Sequence, residues 1–110
     1  MARTHRKFHD LFVARRSEVN TGALRRIGEL YAIEAAFRGK PPDERRRVRQ
    51  EQSRPLLHAF EIRLRSTLGT VSQRGDIAKA INYALNQWAA LTLYVDDGAV
   101  EIDNNAAERA

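Results

Sequence analysis

The stretch Gly75-Asp76-Ile77-Ala78-Lys79-Ala80-Ile81-Asn82-Tyr83-Ala84-Leu85-Asn86-Gln87-Trp88-Ala89-Ala90-Leu91 decides the fold class. Ile77, Ile81, Ala84, Leu85, Trp88 and Leu91 recur at helical spacing, while Lys79, Asn82 and Gln87 fall off that face. Gly75-Asp76 opens the helix. A stripe of this kind reads as core, and it needs other stripes to pack against.

Working outward, the chain supplies them. Phe8, Leu11 and Phe12 share one face of a short amphipathic segment from about Thr4 to Arg16, with Arg6, Lys7, Arg15 and Arg16 largely elsewhere. Asn20 or Thr21 is a candidate N-cap for a helix carrying Leu24, Ile27 and Tyr31, and Gly39 is its stop. Lys40-Pro41-Pro42 cannot continue a helix, because proline lacks the amide donor and restricts the residue before it. Asp43 can cap the arginine-rich helix that follows. Pro55 is predicted to kink or divide that helix, with Ser53 as a local cap. Leu57, Phe60, Leu64 and Leu68 continue the apolar stripe to Gly69.

After Tyr94 the pattern changes. Asp97-Gly98 is a tight-turn dipeptide, and Val100-Glu101-Ile102 alternates like a short strand. The expected fold class is therefore mainly α: a helical bundle of four to five helices with a short β element near the C-terminus. Residues 1–95 form the helical, arginine-rich region. Residues 96–110 form the turn, the short strand and the start of a last helix.

The 110 residues suffice for one small domain, and 43% hydrophobic content can support a core. With no cysteine, disulfide scaffolds, thiolate nucleophiles and cysteine-ligated metal sites are excluded. No apolar run approaches the roughly 20 residues that span a bilayer, and the basic start lacks a signal-peptide core. A cytoplasmic protein is expected.

The net charge of +5 is unevenly spread. Met1 to Val95 holds 18 basic and 9 acidic residues, whereas Asp96 to Ala110 holds one basic and five acidic. Sixteen of the 19 cations are arginine, whose planar fork suits phosphate oxygens. Arg45, Arg46, Arg47 and Arg49, with Arg6 and Lys7, are the candidate DNA-binding residues. The competing reading is a solvated face of i,i+4 pairs, Arg47 with Glu51 and Glu61 with Arg65.

Other clusters carry less. His5 and His9 have the spacing of two metal ligands but no third ligand nearby, and read as a solvated pair. His58 is isolated. Asp96, Asp97, Glu101, Asp103 and Glu108 do not follow a calcium-loop pattern, although hard oxygen ligands for magnesium are conceivable among them. Asp96, Asp97 and Glu101 read as turn-forming or solvated acids. Asn105-Ala106-Ala107-Glu108 has the grammar of a capping box.

The run Glu101-Ile102-Asp103-Asn104-Asn105-Ala106-Ala107-Glu108-Arg109-Ala110 resembles the segment around the last acidic residue of bacterial DDE transposases of insertion-sequence family 66. Arg6-Lys7-Phe8-His9-Asp10-Leu11-Phe12 is similar to that family's arginine-rich helix after its second catalytic aspartate. Leu24 to Glu34, Ser53-Arg54-Pro55-Leu56-Leu57 and Ala80 to Trp88 also match, in order, so the resemblance covers essentially the whole chain.

The resemblance implies that Glu108 is the third carboxylate of the catalytic set and a magnesium (Mg2+) ligand. It implies a parent that performs DNA transposition by metal-dependent phosphoryl transfer on an RNase-H-like fold. The family's first two aspartates belong upstream of Met1, and its basic helix beyond Ala110. Met1-Ala2-Arg3 stands in place of a tryptophan-alanine-histidine run. One carboxylate cannot clamp two metal ions, so this chain is expected to be a transposase fragment that is inactive alone and holds no cofactor. Its expected partners are DNA at transposon ends, a second copy or a full-length transposase. The alternatives are a non-catalytic helical module that binds protein or DNA, and a decayed remnant of a mobile element. Tyr94, Val100 and Ile102 are expected to be exposed where the missing sheet would lie, favouring self-association.

Overall fold

In a computed structural model, residues 1–14 and 17–103 are described. The predominance of helix agrees with the sequence. Helix α1 spans Ala2–Ala14 and buries Thr4 and Phe8. Arg15 and Arg16 lie outside the described residues.

Helix α2, Glu18–Ala36, is capped by Ser17 rather than by Asn20 or Thr21. Ser17 is extended, and its Oγ accepts from the Asn20 amide at 3.1 Å. Asn20 is instead buried in the first turn, together with Ala23, Ile27 and Leu30 further along the same face. Gly39, at φ +83°, takes the left-handed conformation that ends the helical path.

Helices α3 (Pro42–Val48) and α4 (Arg54–Leu68) follow one continuous helical backbone, joined by a π-helical segment over Arg49–Ser53. Pro42 opens α3, and Asp43 sits in its first turn without capping it. Pro55 neither divides the helix nor receives a cap from Ser53, whose backbone is helical and whose side chain makes no capping bond. The Arg54 amide instead reaches back five residues to the Arg49 carbonyl. This wider turn leaves room for the Pro55 ring, which an α register would press against the carbonyl four residues earlier. Leu57, Phe60 and Leu64 then enter the core as the stripe predicts.

Helix α5 runs Asp76–Asn86 and buries Ala78, Ala80, Ile81 and Ala84. The helix expected to continue to Leu91 is interrupted at Gln87, and a short α6, Trp88–Thr92, carries on to a 3₁₀ turn at Leu93–Val95. The Trp88 ring meets Phe60 edge-on at 5.8 Å, binding this corner to α4. α1 packs on α2 and α5, and α4 on α2 and α5, around one apolar cluster.

No strand, and no part of an RNase-H-like sheet, occurs among the described residues. Val100-Glu101-Ile102, expected as a short β element, forms bends and turns instead. Asp97 organises them: its carbonyl accepts from the Val100 amide at 3.1 Å and its carboxylate from the Ala99 amide at 2.9 Å. Gly98 is required here because a Cβ would lie 1.8 Å from the Pro42 carbonyl oxygen. Tyr94 and Ile102 are buried and Val100 is half-buried. The expected apolar exposure is therefore absent at the first two: the helices themselves cover these side chains.

Candidate nucleic-acid interface

The arginines of α3 and the π segment differ sharply in what they touch. Arg49 is only 1% exposed. Its Nε and Nη2 donate to the two Glu34 carboxylate oxygens at 3.0 and 2.6 Å. Its Nη1 donates to three main-chain carbonyls, Tyr94 at 2.9 Å, Asp97 at 3.0 Å and Val100 at 2.8 Å. The guanidinium also lies 5.0 Å from the centre of the Tyr94 ring. Every face of the fork is engaged. Arg49, expected as a DNA contact, is the internal clamp between α2, the π segment and the turn after Val95.

Its neighbours shade from committed to free. Arg45 is half-buried, 3.1 Å from the Glu101 carboxylate and 4.0 Å from Glu34. Arg46 is exposed but donates from Nε to the Asp96 carbonyl at 3.0 Å. Arg47 is exposed, and its expected pair with Glu51 does not form, because the π turn shifts the i,i+4 register just beyond it. The Glu61–Arg65 pair does form, at 3.0 Å. Arg6 and Lys7 are exposed on α1, where the Lys7 ammonium sits 4.5 Å from the centre of the Tyr83 ring. The α1 cations and the α3 arginines are thus exposed to different degrees and engaged in different ways.

The acidic residues are dispersed among basic and hydroxyl partners. Asp96 accepts from Arg54 at 3.0 Å and from Gln50 at 2.8 Å. Asp103 accepts from the Tyr31 hydroxyl. His5 and His9 stack with ring centres 6.3 Å apart. Among the described residues no three His, Cys, Asp or Glu side chains converge in a way that could hold a metal ion. The described residues therefore do not fit a magnesium site. Glu108 lies outside them.

Glu34, Tyr94 and Ser53, unmarked as site residues in the sequence, form the buried polar cluster around Arg49. Burial, reinforced by the nearby Glu34 carboxylate, pushes the Tyr94 phenol above its ordinary range against the opposing effect of Arg49. The Tyr94 and Ser53 hydroxyls neighbour each other, and neither makes a hydrogen bond of good geometry. The one available signal is spacing: Arg49, Ser53, Leu57, Phe60 and Leu64 continue a single buried stripe.

Comparisons with known proteins follow the same lines. A model of the family described as "Transposase IS66 family" matches residues 1–110. The chain is 33% identical over 110 residues to the uncharacterized protein y4jD of Sinorhizobium fredii (strain NBRC 101917 / NGR234), covering 100% of this chain and 22% of that one. It is 37% identical over 109 residues to the uncharacterized protein y4qI of the same organism, covering 99% and 20% respectively. The chain thus spans about a fifth of the length of these relatives. No solved structure matches. With every residue inside the family match, the chain belongs to the IS66 transposase family.

Proposed function

We propose that this chain is the helical, arginine-rich module of a DNA transposase, contacting DNA in a longer parent whose chemistry needs carboxylates outside this chain. The observation that carries this reading is the closure of the helical body. Met1 is buried, and its amine lies 3.3 Å from the Ile102 carbonyl, so the two ends of the body stand side by side. A body closed in this way can sit between two elements of a larger fold without displacing either.

The division into a helical region, 1–95, and a segment leading to the last acidic motif, 96–110, is part of the proposal. Glu108 would supply one carboxylate, with magnesium held in the parent by Glu108 together with groups elsewhere. Arg6, Lys7 and Arg47 remain the DNA-contact candidates from the sequence, with Arg45 and Arg46 partly engaged and Arg49 serving structure. Transposon-end DNA in a bacterial cytoplasm is the setting this implies. A second reading, a non-catalytic protein-interaction module, is favoured by the exposed apolar side chains Val13, Ile62 and Leu93. Among the described residues no helix is long and apolar enough to cross a membrane.

The purified chain, incubated with duplex DNA and magnesium, is expected to bind without cutting. Metal-dependent strand cleavage that Glu108→Gln abolishes would overturn the reading of an incomplete centre.

A further inference from the structure

Resting on that DNA-contact reading, we infer that the phosphate backbone of duplex DNA is received in a groove between α2 and α4, a surface distinct from the arginine run of α3. The groove has a volume of about 330 Å³ and is lined by the first turns of α2 and the last turns of α4. Arg25 and Arg26 come from α2, Arg63 from α4. Among the described residues none of the three makes an ion pair or hydrogen bond, in contrast to Arg45, Arg46 and Arg49. Three uncommitted guanidiniums converge on one cleft.

Its chemistry favours phosphate. Ser66 and Thr67 add hydroxyls beside Arg63, and arginine with serine or threonine is the usual set that meets phosphate oxygens. Glu18, at the start of α2, is the one acidic side chain lining the groove and leaves a formal balance of +2 against the three arginines. Gly22 lies in the lining, and nothing approaches within 4 Å of where its Cβ would stand, so a backbone strand can come close to the helix. Size argues against an acidic helix as occupant. Two turns of a helix about 10 Å across displace roughly 850 Å³, more than twice what the groove holds.

The test is fluorescence anisotropy of a labelled mixed-sequence duplex titrated with the full chain across a salt series. Combined Arg25→Ala, Arg26→Ala and Arg63→Ala is expected to weaken binding at least tenfold at low salt and to reduce the log–log salt slope by about 2.7, near 0.9 for each phosphate released. Arg26 is half-buried, so Arg25→Ala with Arg63→Ala, both exposed, serves if the triple variant fails to fold; it is expected to reduce the slope by about 1.8. Wild-type binding that these substitutions leave unchanged overturns the groove while sparing the DNA reading. Absence of wild-type binding, or preference for polyglutamate over duplex, overturns both.

Discussion

Replacing Arg49 by methionine keeps much of the side-chain volume and removes the guanidinium. Both Glu34 oxygens then lose their charged donor, and the Tyr94, Asp97 and Val100 carbonyls lose their shared partner. Arg45, 4.0 Å from Glu34 and already engaged with Glu101, compensates poorly. Breaking a buried pair by deleting one member costs about 3–5 kcal/mol, because the other charge stays buried without compensation. Against a total stability of about 5–15 kcal/mol for a domain, that is a large fraction. Urea unfolding followed by far-UV circular dichroism should show the midpoint falling by about 2–3 M, taking a slope near 1.5 kcal/mol per molar. The double variant with Glu34→Leu should cost at least about 1 kcal/mol less than the sum of the two singles. An Arg49→Met loss under about 1 kcal/mol, or strict additivity with Glu34→Leu, would refute the clamp.

Three further perturbations test other parts of the fold. Gly98→Ala drives a methyl into the Pro42 carbonyl at 1.8 Å, so the turn must separate from α3, lowering stability by about 2 kcal/mol or more in the same urea assay. Ser17→Ala removes the acceptor of the Asn20 amide and should cost about 1 kcal/mol, with Thr21→Ala near neutral. Tyr94 has a raised phenol pKa in the folded chain, so its contribution is intact below the unfolded value near 10 and declines as pH rises toward the folded value. Stability measured from pH 9 to 11 should therefore fall more steeply in the wild type than in Tyr94→Phe, by up to about 1.4 kcal/mol per pH unit.

Much of the helical body was legible because burial writes a 3.6-residue period into the sequence. The Ile77 to Leu91 stripe, and the stops at Gly39 and Gly69, follow from side-chain spacing and glycine alone. The π turn was not legible, since Pro55 signals only that an ordinary helix is in difficulty there, not that a wider turn will resolve it. Arg49 was misread because local sequence places it in a charged run, while its burial depends on Glu34 and on carbonyls about 45–50 residues away. The alternation at Val100-Glu101-Ile102 was too short to decide between strand and turn. Arg49 takes the Val100 carbonyl and the Met1 amine that of Ile102, so both are used outside any sheet. The arginines of the α2–α4 groove escaped notice because Arg25-Arg26 and Arg63 converge only once the two helices pack.

The central claim, that this chain is a working module of a transposase and Glu108 its share of the reacting centre, is open to one direct measurement. The matching fifth of a full-length relative such as y4jD is exchanged for this chain, and transposition of a marked element is counted in cells. The account predicts that the chimera transposes and that Glu108→Gln in the exchanged segment abolishes it. Undiminished transposition with Glu108→Gln would contradict it.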